Sequence, residues 1–170
     1  MPTIRRVMLP AALFAACALA QQSAPERYPD VPFVPTPADI VEQMLKLANV
    51  HKGDIVYDLG CGDGRIVIAA ARLGARAVCV DIDLVRIADA QENARSAGVA
   101  ERIRFRTEDL FGVGLGEATV VMLFLSPDFN RQLRPRLQAL SPGTRIVSHW
   151  HDMGDWQPRK AMHVNAGRRD

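Results

Sequence analysis

Apolar positions in this chain follow two rhythms in turn: sets spaced three and four apart, and short unbroken runs bounded by glycine. Ile40, Val41, Met44, Leu45 and Ala48 have the helical spacing. Thr36, Pro37 and Asp39 precede them as an N-cap, a first-turn proline and an acid beside the positive helix end, so a helix is predicted from about 37 to 49. Ile55 to Leu59 is a short apolar strand that stops at Gly60, and Arg65 to Leu73 reads as a buried helix closed by Gly74. Arg76 to Val80 is the next strand, and Asp83 caps a helix carrying Leu84, Ile87, Ala88 and Ala94 up to Gly98. Arg102 to Arg106 alternates as a strand, and Ala118 to Leu125 is an apolar run suited to a central buried strand. Asp128 to Leu140 predicts a helix kinked or restarted at Pro135, and Thr144 to Ser148 a fifth strand. Strand and helix alternate, which implies an α/β fold with a doubly wound, mostly parallel Rossmann-like sheet. Such sheets bind ligands at the carboxyl ends of the strands, near the switch in strand order.

The N-terminus breaks this alternation. Arg5 and Arg6, the apolar stretch Val7 to Ala20, and the small residues Ala18 and Ala20 give residues 1–20 the layout of a signal peptide or membrane anchor. Residues 21–35 form a Pro-rich linker, and residues 36–170 the folded domain. The expected location is exported or membrane-associated if the signal acts, and cytoplasmic otherwise.

Composition narrows the partners. A net charge of +2 with dispersed arginines, of which Arg102, Arg104 and Arg106 alternate as a solvated strand face would, points away from nucleic acid. Three cysteines suggest no disulfide framework. Cys79 reads as a small buried hydrophobe, and Cys61 as a small residue where backbone must approach a ligand.

The chemistry concentrates in Asp58-Leu59-Gly60-Cys61-Gly62-Asp63-Gly64-Arg65, between a strand and a helix start. Glycines there permit positive φ, and the helix start presents free N–H groups. Asp81 ends the next strand, where a carboxylate can accept from both hydroxyls of a ribose. A dinucleotide would place its pyrophosphate on this loop, but the third glycine comes one residue early for G-x-G-x-x-G. Asp58 and Asp63 would also repel a pyrophosphate, whereas they suit the ammonium and sulfonium of S-adenosylmethionine. Charge therefore favours the methyl donor.

D-L-G-C-G-D-G at 58–64, V-D-I-D at 80–83 and E-D-L-F at 108–111 resemble the donor-binding motifs of class I methyltransferases. F-V-P-T-P at 33–37 and R-I-V-S-H-W-H-D-M-G-D-W at 145–156 narrow the likeness. They are similar to the small protein-lysine methyltransferases that modify the ATP synthase c subunit and the adenine nucleotide translocase. The resemblance implies that Asp58, Gly60 and Gly62 line the methionine end of S-adenosylmethionine and that Asp81 holds the ribose. It implies that Ile82 packs on the adenine, that Asp109 accepts from the adenine amino group, and that Thr36 lies in a segment closing over the site. It also implies an antiparallel C-terminal hairpin. After the stretch at 145–156 only Gln157 to Asp170 remain, enough for one short strand such as Ala161 to Val164, so the hairpin is expected to be incomplete.

The acceptor side is less defined. Ser126 and Asp128 after the fourth strand are candidates for acceptor contact, with a helix cap as the competing reading, and His149 is a candidate base. No metal site is expected, since His149 and His151 at a strand end read as a polar rim. The implied activity is N-methylation of a protein lysine. The alternatives are small-molecule methylation and an exported nucleoside-binding module without catalysis.

Overall fold

The computed structural model describes residues 33–164; the predicted signal at 1–20, and the linker as far as residue 32, lie outside them. Five strands form one parallel sheet: β1 (Ile55–Leu59), β2 (Arg76–Asp81), β3 (Ile103–Thr107), β4 (Val120–Leu123) and β5 (Arg145–Ser148), in the order β3-β2-β1-β4-β5. The helices are α1 (Ala38–Leu47), α2 (Arg65–Arg72), α3 (Leu84–Ser96) and α4 (Pro127–Gln138). Every neighbouring strand pair is parallel, and the order reverses direction between β1 and β4.

Alternation along the strands builds two cores. Val56, Ala77, Cys79, Val120 and Met122 face α1, α2 and α3, where they meet Val41, Leu45, Val67 and Ile87. Tyr57, Leu59, Val78, Val80, Val121 and Leu123 face the other way, against Val113, Leu115 and the α4 residues Leu133 and Leu137. Both faces of the central strands are thus covered, which is why their sequences are continuous apolar runs. At the amino ends of the strands, buried Asp54 accepts from Thr119 Oγ1 at 2.8 Å and pairs with Arg145, joining β1, β4 and β5. Stability is concentrated at that end, away from the carboxyl ends where ligands bind.

Several expectations need correction. Thr36 does not cap α1: the N-cap position is Pro37, and no side chain bonds there. The Thr36 carbonyl instead accepts from Arg65 Nη1 at 2.8 Å, so the residue is held as part of the loop region. The helix around Pro135 neither stops nor restarts, and α4 runs through it to Gln138. Buried Leu133 and Leu137 on either side of the proline hold the helix against the sheet, which offsets the missing N–H. Residues Ala161 to Val164 form no strand, and β5 is the edge of the sheet among the described residues. No helix among those residues is long and apolar enough to cross a membrane.

The cysteine reading is also overturned. Cys61 and Cys79 form a disulfide with 5.3 Å between their Cα atoms. The physical reason is the register. Asp58 pairs with Cys79 across β1 and β2, and the chain after β1 folds back so that the N–H groups of Gly60 and Cys61 both donate to Val80 O, at 2.8 and 3.0 Å. A separation of 18 positions in sequence gives no hint of this proximity.

Candidate functional site

The loop after β1 sits at the point where the strand order reverses, with α2 starting from it. Gly60, Gly62 and Gly64 have φ of 79°, 53° and 79°, a region that side chains with a Cβ rarely enter. Gly64 has a second constraint: a Cβ there would lie 2.9 Å from the Ala90 Cβ of α3.

Asp58 ends up in an unusual place for a carboxylate. It shares the helix-facing side of β1, flanked by Cys79 and Met122 on the neighbouring strands, and is 2% exposed. Burial, then the nearby carboxylates of Asp81 and of Asp63, push its pKa up to about 8. Asp81 binds backbone with both oxygens, accepting from Gly62 N–H at 2.9 Å and from Asp83 N–H at 3.0 Å. Asp63 behaves differently from the expectation that two free carboxylates flank the loop. Although burial opposes it, the hydrogen bonds and charge of Arg65 hold Asp63 below the usual carboxylate range, and Arg65 Nη2 lies 2.6 Å from Asp63 Oδ2. Asp58, with no ion-pair partner and a raised pKa, is therefore held protonated near neutral pH until a positive charge reaches it.

Thr36, Asp58 and Gly60 line one hollow together with Phe33, Cys61 and Phe124, so the structure brings these predicted residues together. The hollow measures only about 30 Å³, because the Phe33 ring lies over the loop: a Cβ on Gly62 would be 2.2 Å from it. The Arg86 guanidinium lies 5.1 Å from the centre of that ring. Residues 33–36 thus lie against the loop, and Arg65 ties them to it through the Thr36 carbonyl. A larger hollow of about 780 Å³ lies between α1, α2 and α3, lined by Val41, Leu45, Ile68 and Leu73. It holds none of the glycines or carboxylates of the loop, and we do not take it as the site.

The remaining candidates are dispersed. Ile82 is half-exposed just after β2 and belongs to neither core layer, so it is not ordinary core. Asp109 lies in the turn after β3 and accepts from Phe111 N–H at 2.8 Å, the geometry of an Asx turn. Ser126 caps α4, accepting from Phe129 N–H at 3.4 Å, and exposed Asp128 pairs with Arg131 one turn on. Both therefore match the helix-cap reading and do not enter the hollow. His149 comes closer. Its ring packs 4.3 Å from that of Phe124, which itself lines the hollow, and burial, then His151, lowers its pKa. Sequence reasoning missed Phe124, which reads as one more core residue of an apolar run, and buried Asn130, whose partners are all distant in sequence.

These residues fit a nucleoside carrying a positive charge. The loop glycines let a ligand approach the backbone, Asp81 offers carboxylate oxygens at the end of β2, and buried Asp58, which a nearby positive charge would ionise, suits a cation better than a phosphate. Comparison with known proteins agrees. The ANTKMT methyltransferase domain matches residues 58–160. The chain belongs to this methyltransferase family. A protein-lysine N-methyltransferase of Saccharolobus islandicus is 45% identical over 142 residues, covering 82% of this chain and 88% of that protein. The adenine nucleotide translocase lysine N-methyltransferase of Mus musculus is 36% identical over 86% of this chain, which spans only 66% of that relative. Among solved structures, an RNA methyltransferase from Salinibacter ruber bound to S-adenosyl-L-homocysteine superposes with a TM-score of 0.76 at 52% identity, covering 77% of this chain and 87% of that one. The methyltransferase uses S-adenosylmethionine as its donor, and the five-stranded parallel sheet is that of the class I fold.

Proposed function

We propose that this methyltransferase N-methylates a lysine side chain of a protein. The observation that carries the reading is the archaeal protein-lysine N-methyltransferase, similar across most of both chains. S-adenosylmethionine, when bound, supplies a methyl group already activated by a sulfonium. The chain's own task is then to hold the donor, align the acceptor and exclude water. Asp58, Gly60 and Gly62 would hold the methionine end, Asp81 the ribose, and Ile82 and Asp109 the adenine. Thr36, in the segment latched by Arg65, would close the site. His149, whose ring packs on Phe124 and whose pKa is lowered by burial and then by His151, would take a proton from the incoming ammonium.

RNA methylation is the second reading, favoured by the description of the Salinibacter relative. The protein reading is kept first: exposed Arg95, Arg104 and Arg131 and half-buried Arg134 are each paired with a carboxylate, of Glu92, Glu117, Asp128 and Asp155 respectively, which lessens their pull on phosphates. The test is transfer of a labelled methyl group to a cell extract. Label in acid-stable lysine derivatives of protein supports the proposal; label that follows RNA, or passes into solvent-extractable small molecules, removes it.

We further propose that the protein works exported or at a membrane. The Cys61–Cys79 disulfide supports this, since such bonds persist in oxidising compartments. Fractionation of cells together with the thiol state of the recovered protein tests it: reduced protein in the cytoplasm would end the idea.

A further inference from the structure

The turn that follows β5 is built at a cost to folding, and its outer residue contributes nothing to the core. His151 N–H donates to His149 O at 2.8 Å, closing a three-residue turn around Trp150, whose φ is 68°. Positive-φ turns of this kind are strained for a side chain that has a Cβ. Trp150 is nevertheless 84% exposed, the most exposed of the large apolar side chains among the described residues. A strained backbone that presents a bare indole to solvent is explained neither by packing nor by solubility.

The support beneath the turn is specific. Asn130 of α4 is fully buried, and its amide nitrogen donates to Ser148 Oγ, His151 O and Asp152 O, at 3.2, 3.2 and 3.1 Å, spanning both sides of Trp150. Ser148 Oγ donates in turn to His151 O at 2.6 Å. On the inner side His149 packs on Phe124, which lines the hollow at the donor loop. Asn130 Oδ1 and His149 Nδ1 are buried without partners beneath the same turn. The turn thus connects the donor hollow to the surface, with an imidazole inside and an indole outside.

We propose that Trp150 is the recognition residue for the protein acceptor: its indole anchors the substrate protein while the target lysine passes inward along His149 and Phe124. Tryptophan is the side chain most enriched among residues that dominate protein–protein binding, because it buries a large rigid surface at low entropic cost. Strain of this kind is retained where function needs the geometry. The inference rests on the protein-lysine reading above. Asn130 acts through the turn and is a positioning residue.

The experiment uses the full chain, labelled donor and total cellular protein as acceptor, comparing wild type with Trp150→Gly and Trp150→Phe. Glycine accepts the positive φ, so Trp150→Gly should melt no lower than wild type, and donor affinity should be unchanged. At limiting acceptor its labelling should fall about tenfold or more, with the loss recovered as acceptor is raised, and Trp150→Phe should restore part of it. Equal labelling by Trp150→Gly and wild type at every acceptor concentration overturns the proposal while leaving the lysine reading intact. A loss of labelling that tracks a lower melting temperature overturns it too. Wild-type protein that labels no protein at all removes the lysine reading, and the proposal with it.

Discussion

The Asp81 carboxylate accepts the N–H of Gly62 at 2.9 Å, across 19 positions of sequence. This bond fixes the glycine loop to the end of β2 while leaving further lone pairs on the carboxylate, which the proposed ribose contact would use. Asp81→Ala should cost about 1–3 kcal/mol of stability, the usual range for a lost partner of a charged hydrogen bond. It should also abolish the rise in melting temperature that S-adenosylmethionine gives the wild type. Asp81→Asn, which keeps one acceptor, should fall between. A full donor-dependent shift in the alanine variant would contradict the ribose role.

Asp58 makes donor binding depend on pH. Its pKa stands at about 8 in the fold, raised by burial and by Asp81 and Asp63, against 3.8 ordinarily. An acid with a raised folded pKa contributes stability fully present below its ordinary value and lost as pH rises through the folded one. The ligand-free protein should therefore lose stability toward about pH 8, and Asp58→Asn should melt higher than wild type near pH 9. A cationic donor prefers the ionised carboxylate, so wild-type affinity should rise with pH up to that same value. Calorimetry of donor binding across this range should show the slope in wild type and none in Asp58→Asn. A flat wild-type profile would place the cation elsewhere.

The Cys61–Cys79 bond clamps the glycine loop to β2 and closes a loop across a sequence separation of 18. Such a closure stabilises by about 3 kcal/mol in the chain-entropy account. The Cys61→Ser, Cys79→Ser double variant should melt several degrees lower than the oxidised wild type. A disulfide carries no free thiol, so Cys61 and Cys79 should stay unlabelled in the unreduced protein even after it is unfolded. Labelling of both cysteines in the unfolded, unreduced protein would mean that the bond does not form.

Gly53 and Gly64 separate backbone strain from close packing. Both have positive φ, 105° and 79°, but a Cβ on Gly53 meets nothing within 4 Å, whereas one on Gly64 meets Ala90 at 2.9 Å. Gly53→Ala should cost about 1 kcal/mol for the conformation alone. Gly64→Ala should cost about 1–3 kcal/mol more, because α3 must move away from the loop. Denaturant midpoints measure the difference, and equal values would show that α3 yields without cost.

The amino-acid sequence by itself determined the elements and their order. The short run Ile55 to Leu59, stopped by Gly60, places β1 to the residue, because a central strand covered on both faces is mostly apolar, with Asp58 as its polar exception. Asp83, with a side chain suited to capping, marks the start of α3, and the bond to Val85 N–H at 2.8 Å confirms it. The donor also follows from local chemistry, since glycines and carboxylates in one loop discriminate a cation from a pyrophosphate. What depends on contacts between distant segments was decided only by the tertiary structure. The pairing of Asp58 with Cys79 across two strands creates both the disulfide and the desolvated site that raises the Asp58 pKa. Arg65 reaching the Thr36 carbonyl takes Thr36 from the helix cap and compensates Asp63. The Trp150 turn is held by Asn130 from another helix, through acceptors 18 to 22 positions away. Short-range periodicity is written in neighbouring residues; burial, charge compensation and backbone strain belong to neighbours that the chain acquires only by folding.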